Sequence, residues 1–211
     1  MDQKITIVAM GDSTTAGTPG WKSRVEAPPS GSGDETSQYA YWLMHARREW
    51  NVLNHGVNGE RSDQVRGRFE RDVVDVGPTA VVIIAGVNDV YQGRESQHVI
   101  EQLAAMYERA TRAGIRVIAG TIVPYNTATQ EQNARMGEIN RWIRRFATDT
   151  ENVDFADTRA AVADSRDPDR LTESPDGLHP SPAGYRRMAE AIQPALQRVL
   201  RNYERRSPNS E

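Results

Sequence analysis

The sequence predicts an α/β fold in which helices cover both faces of a parallel sheet of about five strands. Three observations predict it. Five short apolar runs are β-branched and closed by Gly, Asn or Asp, the pattern of strands buried on both faces. Longer amphipathic stretches lie between these runs, so strand and helix alternate along the chain. Punctuation falls at the boundaries: Gly114 in "RAGIRV" stops a helix before a strand, and "SPAG" offers Ser181 as an N-cap with Pro182 at the first helical position.

Taken in order, "ITIVAM" (5–10) is the first strand and runs into "GDSTT". Residues 17–37, "GTPGWKSRVEAPPSGSGDETS", are rich in Gly, Pro and Ser and exceed the roughly 2–6 residues of an ordinary βα loop. The next helix is therefore expected from Gln38 to Glu49, followed by the strand "NVLN" (51–54) and a helix from Ser62 to Val76. "AVVIIAG" (80–86), a helix from Glu95 to Ala113, "IRVIAG" (115–120), a helix from Gln130 to Thr150 and "VDFAD" (153–157) continue the alternation. The last helix runs from Ser181 to Tyr203. No internal repeat is present, and one domain is expected over residues 1–203, with a flexible tail over 204–211.

Composition narrows the function. A formal net charge of -3 and a pI near 5.9 leave no basic footprint, so neither nucleic acid nor an anionic membrane surface is the expected partner. With no cysteine the chain has no disulfide framework, no thiolate metal site and no cysteine nucleophile. His45 and His98 fall in helices without the carboxylate spacing of a metal site, so neither metal nor cofactor is expected. Only six residues, Ile5 to Met10, precede Gly11 as an apolar run, too few for a signal core, and nothing approaches the roughly 18 apolar residues of a membrane span. The expectation is a cytoplasmic protein without membrane insertion, although a secreted form stripped of its leader would look the same.

In an open α/β sheet the ligand site lies beyond the carboxyl ends of the strands. That filter selects the loops "GDSTT" (11–15), "HGVNGERS" (55–62), "GVNDVYQG" (86–93) and "TIVPYN" (121–126), and the segment leading to "DGLHP" (176–180). His179 is suited to acid-base work because imidazole titrates near neutrality, and Asp176, three residues earlier, is within reach of its Nδ1. Ser13 after the first strand is either a nucleophile or a helix cap. Acyl transfer also needs donors aimed at an oxyanion; the Asn88 amide and the backbone N–H groups of Ser13 and Gly59 would supply them, while Asn88 and Gly59 equally suit plain turns. His55 is a pocket-lining candidate. Trp21 and Val25, in the long loop that leaves Ser13, and Tyr125 and Asn126 are candidate substrate contacts, and residues 18–37 are expected to form part of the acyl or alcohol pocket.

"GDST", "NHGVNG", "GVND" and "DGLHP", in that order and approximate spacing between Ile5 and about Leu200, resemble the SGNH hydrolase superfamily, also called the GDSL family of serine esterases and lipases. The resemblance implies a three-layer αβα sandwich of flavodoxin-like type. It implies Ser13 as nucleophile and first oxyanion donor, Gly59 and Asn88 as further donors, and His179 as base oriented by Asp176. Thr14 stands where that family usually has Leu or Ile. The expected substrates are short-acyl carboxylic esters, including O-acetyl groups on carbohydrates, with arylesterase, thioesterase or lysophospholipase activity as alternatives on the same site. Two rivals remain: a non-catalytic binding module on this fold, and a flavin site, since "STTAGT" resembles a flavodoxin phosphate loop. A P-loop is excluded by the lack of GxxxxGK[ST]. Against the flavin stands the expectation that no helix begins directly behind the loop.

Overall fold

The computed structural model describes residues 4–204; beyond residue 204 itself, the tail expected over 204–211 lies outside the described residues. In chain order the elements are β1 (Ile5–Gly11), α1 (Ser13–Ala16), β2 (Trp21–Lys22), β3 (Ser32–Gly33), α2 (Tyr39–Ala46), β4 (Trp50–Gly56), α3 (Ser62–Gly67) and β5 (Ala80–Ile84). They continue with α4 (Val87–Tyr91), α5 (Ser96–Arg112), β6 (Arg116–Gly120), α6 (Gln130–Asp149), β7 (Val153–Ala156), α7 (Thr158–Val162) and α8 (Pro182–Glu204). β2 and β3 pair only with each other, as a short antiparallel ribbon.

The five long strands form one parallel sheet in the order β4-β1-β5-β6-β7. The chain thus steps from β1 to one side, then returns past it to build the other, which is the doubly wound arrangement whose switch point opens a crevice beyond β1 and β5. Strand periodicity divides the core. Val8 and Met10 of β1, with Val81 and Ile83 of β5, face the layer that also buries Leu103 and Met106 of α5 and Ile139 and Ile143 of α6. Ile7 and Ala9, with Val82 and Ile84, face the opposite layer, which buries Leu43 of α2 and Tyr185, Met188 and Ile192 of α8. A sheet buried on both faces has no polar alternation, hence the continuous apolar runs in sequence. Among the described residues no helix is long and apolar enough to cross a membrane.

Register positions the site. Gly11 at the end of β1 pairs with Gly56 of β4 and with Ile84 of β5, so the loops after all three strands leave the sheet at one level. The punctuation also works as its chemistry dictates. Gly114 takes φ +75° while Ile115 N–H donates to the Ala110 carbonyl to close α5, and Ser181 Oγ accepts the Gly184 N–H at 3.2 Å to open α8.

Three short helices have no counterpart in the sequence pattern. α1, α4 and α7 have four or five residues each, too few for helical periodicity to register. α1 corrects the expectation that the first helix waits until Gln38. It begins at Ser13 because the Asp12 carboxylate caps it, accepting the Thr14 N–H at 2.9 Å. What opposes a phosphate there is therefore the acidic cap and not a missing helix. The stretch from Ser62 to Val76 is also not one helix: α3 ends at Gly67, Arg68 leaves helical geometry at φ -106° and ψ 5°, and a single π-helical turn follows at Glu70–Val74.

Residues 17–37 are corrected as well. Trp21 is buried, its ring packs on Gly31, and it borders a hollow of about 470 Å³ shared with Gln38 and residues of β4. Ser23 Oγ donates to the Gly56 carbonyl at 2.5 Å, and Glu26 accepts the Asn58 N–H at 2.9 Å. The segment is a folded buttress under the loop after β4. Composition marked it as a loop, but could not show that Ser23 and Glu26 would tie it to a distant strand end.

Candidate active site

β1 delivers Ser13 through a tight exit. A Cβ at Gly11 would run into the Ile84 carbonyl and the Thr15 hydroxyl, so only glycine lets the strand end lie this close to β5 and α1. Ser13 is the first residue of α1, almost fully buried. Its Oγ lies 2.9 Å from His179 Nε2, across 166 residues of sequence. His179 Nδ1 lies 2.7 Å from Asp176 Oδ2.

The Asp176–His179 segment is locked from several sides. Asp176 Oδ1 accepts the backbone N–H of Leu178 at 2.9 Å and of His179 at 2.8 Å, while Ser174 Oγ donates to the His179 carbonyl at 2.6 Å. Gly177 takes φ +77° in this turn and its carbonyl accepts the Asn126 N–H at 2.7 Å. Burial works against ionisation of Asp176, but hydrogen bonds from the His179 ring and from the two backbone N–H groups outweigh it and hold its pKa below the ordinary carboxylate value. The carboxylate therefore stays charged and faces the imidazole Nδ1, which leaves Nε2 toward Ser13.

The other two loops close over the serine. Gly59 takes φ +78° in open space, next in sequence to the cavity-wall residue Asn58. Neither its N–H nor that of Ser13 has an acceptor within the described chain. Asn88, at the start of α4, donates one amide hydrogen to the Glu60 carbonyl at 2.9 Å and keeps a second. Asp89 beside it is fully buried and accepts both the Ser62 N–H at 2.7 Å and the Ser62 Oγ hydrogen at 2.8 Å, pinning the far end of the loop after β4.

A cavity of about 180 Å³ opens at Ser13, Asn88 and His179. Its walls are Val87, Tyr91, Tyr125 and Leu178, completed by Thr14 and Asn58. Tyr91 and Leu178 are 58% and 39% exposed, unusual for large apolar side chains in this chain, and Tyr91 meets Tyr125 edge to face at 5.8 Å. Larger hollows lie elsewhere, including one of about 400 Å³ bounded by Lys4, Tyr41 and Trp50, but none of these borders the serine.

Ser13, Asp176, His179 and Asn88 are thus brought together with Tyr125, while Gly59 lies one residue beyond the wall residue Asn58. Trp21 and Val25 do not line the cavity, since the ribbon carries them onto the hollow beside β4 and the turn at Ser23. Asn126 is not a wall residue either: its Oδ1 accepts the Leu171 N–H at 2.8 Å, so it fastens the segment bearing Asp176. His55 turns its Nδ1 to the Asp72 carbonyl at 2.9 Å, and burial lowers its pKa, so the ring is neutral scaffold. His98, which sequence spacing left without acidic neighbours, lies 3.9 Å from Asp89 with Asp63 close by, but Arg61 holds Asp63 and Ser62 holds both oxygens of Asp89. The missed wall residues had a signal: Val87 and Tyr91 flank Asn88 in "GVNDVY", and Leu178 lies between Asp176 and His179.

Residues 9–187 match the GDSL-like lipase/acylhydrolase family. An acetylxylan esterase of Geobacillus stearothermophilus is 29% identical over 155 residues, covering 67% of this chain and 69% of that protein. The uncharacterized lipoprotein YqeF of Bacillus subtilis (strain 168) is 31% identical over 125 residues, 56% of this chain; the match spans about half, 48%, of that longer protein. Among solved structures, a GDSL-like lipase from Bacteroides thetaiotaomicron VPI-5482 superposes with a TM-score of 0.74 at 21% identity, covering 94% of this chain and 93% of that one, which shows a shared fold. Since the family match runs from the last residues of β1 into α8 and takes in all four sequence blocks, the chain belongs to the GDSL-like lipase/acylhydrolase family of carboxylic ester hydrolases.

Proposed function

We propose that the chain hydrolyses short-acyl esters, O-acetyl groups on carbohydrates foremost, through an acyl-enzyme on Ser13. The observation that carries this is the hydrogen-bonded line from Asp176 Oδ2 through His179 to Ser13 Oγ, 2.7 and 2.9 Å, at the mouth of a cavity. As Oγ attacks the ester carbonyl, His179 Nε2 takes its proton, and the charge appearing on the imidazole is balanced by Asp176. The Ser13 and Gly59 N–H groups and the free Asn88 amide hydrogen hold the oxyanion, and His179 then protonates the departing alcohol. Water repeats the cycle on the acyl-serine, with His179 again as base.

Cavity size supports a short acyl group. At about 180 Å³ the space falls below the roughly 300–1,000 Å³ of pockets for drug-sized ligands. The exposed ring of Tyr91 and the Leu178 side chain at the rim suit the apolar face of a sugar ring, and the acetylxylan esterase relative supports the same leaving group.

A hydrolysis panel crossing acyl length with alkyl, aryl, thioester and acetylated-sugar leaving groups tests the reading. Acetyl esters of sugars should give the highest kcat/KM, falling with each added acyl carbon. Tyr91→Ala should raise KM for an acetylated xyloside several-fold and leave KM for a small alkyl acetate unchanged. Preference for long acyl chains or thioesters would overturn the substrate assignment, and turnover by Ser13→Ala at the wild-type rate would overturn the chemistry.

A further inference from the structure

The interruption of the helix after Ser62 has a tenant. Gly67 ends α3, the π-helical turn starts at Glu70, and between them Arg68 points its side chain, only 9% exposed, beneath the catalytic loops. Single π turns inside helices are a local misfit that recurs at functional sites. The guanidinium reaches the end of β1.

Its partners lie on the segments that bracket the oxyanion donors. Arg68 Nη2 donates to the Gly11 carbonyl at 2.9 Å, two residues before Ser13. Nε donates to Glu60 Oε2 at 2.7 Å, one residue after Gly59. Nη1 donates to Asp72 Oδ2 at 2.7 Å and touches Met10 Sδ at 3.4 Å. The Glu60 carbonyl in turn accepts the Asn88 amide, so Glu60 joins two donor loops while Arg68 ties that joint to the third. Glu60 and Asp72, the latter shared with Arg71, balance the charge locally, and the planar fork contributes direction instead of field.

We propose that Arg68 is a positioning residue for ester hydrolysis, holding the exit of β1 and the loop after β4 so that the Ser13, Gly59 and Asn88 donors converge on one oxyanion. The proposal rests on the acyl-transfer reading of Ser13 and adds to it a residue outside the cavity wall.

Arg68→Lys keeps a charge but loses the fork, and should lower kcat roughly 10- to 100-fold, because small misplacements of transition-state donors carry penalties of that order. KM should stay within about twofold, since the ground-state ester uses these donors weakly. Arg68→Ala should show the same split, and millimolar guanidinium, but not sodium chloride at equal ionic strength, should restore part of its kcat. Glu60→Met removes the acceptor of the same link at similar side-chain length and should also lower kcat at constant KM. Circular dichroism and melting temperature are followed for each variant. If Arg68→Ala does not fold, Glu60→Met decides: a kcat-only loss supports the proposal and wild-type kcat overturns it. Folded Arg68 variants with wild-type kcat, with a loss confined to KM, or with activity that merely follows the folded fraction overturn it. A fully active Ser13→Ala would instead overturn the acyl-transfer reading, so the two failures are distinguishable.

Discussion

The side chains facing the cavity divide by when they act. Ser13 and His179 make and break bonds in the proposed reaction, so Ser13→Ala and His179→Ala should each lower kcat by several orders of magnitude with little change in melting temperature. In that proposed reaction Asn88 would bind charge only once it has developed, and Asn88→Ala should cost roughly 100-fold in kcat at nearly constant KM, measured under saturating substrate. Asp176→Asn should retain more activity than His179→Ala, because its second oxygen already accepts two backbone N–H groups and the turn keeps the imidazole near Ser13. Equal loss in both would mean that carboxylate charge, not placement, dominates. These residues were legible because they lie beyond strand ends and offer complementary roles in one order along the chain, although Ser, Asn and Asp are each common in turns. Tyr91 and Leu178 had nearness in sequence to Asn88, Asp176 and His179 as their signal, but an aromatic or aliphatic side chain carries no mark of which hollow it borders until the chain is folded.

At the scale of elements, length decided what could be read. The five strands and the long helices α5, α6 and α8 follow from apolar spacing over many residues. α1, α4 and α7 exist through caps and neighbours: Asp12 caps α1 and Asp157 caps α7, with carboxylates that sequence alone would place equally well in turns. The break at Arg68 was hidden for a different reason, since Val65, Phe69 and Val73 keep helical spacing across it and all bury in one core layer. The ribbon over β2 and β3 yields a prediction of its own. Replacing residues 20–35 with a short Gly/Ser linker removes the bonds from Ser23 to Gly56 and from Glu26 to Asn58, so the loop bearing Gly59 loses its support. kcat should fall about equally for every ester in the panel, and the ranking of substrates should be unchanged because Trp21 and Val25 do not border the cavity. A changed ranking would show that the segment touches substrate.

The whole molecule carries a burial cost at its switch point. Two strand ends meet there, and each brings an acid into the interior: Asp12 just after β1 and Asp89 in α4, which follows β5, both essentially inaccessible to solvent. Burial first, then repulsion from Asp89, push Asp12 up to about 7 against the Thr14 hydrogen bond that favours its charged form. Doubly wound topology was legible from alternation, but this convergence of acids needed the register that sets Gly11 opposite Ile84. Linkage then fixes the sign. An acid whose folded pKa lies above its unfolded value of 3.8 favours folding below that value and progressively opposes it as pH rises to about 7, beyond which the penalty is constant. Asp176 works in the opposite sense, but only at pH values near and below the ordinary carboxylate range, where its depressed pKa adds stability that acid removes. Asp12→Asn keeps a capping oxygen for the Thr14 N–H and removes the titration. Its stability relative to the parent chain should therefore rise between pH 5 and pH 8, by on the order of 3 kcal/mol from the roughly two pH units between 5 and about 7 at about 1.4 kcal/mol each, and change little between pH 8 and pH 9. Urea unfolding at these pH values checks it, and a difference between the two chains that does not vary with pH would show that Asp12 titrates as an ordinary carboxylate.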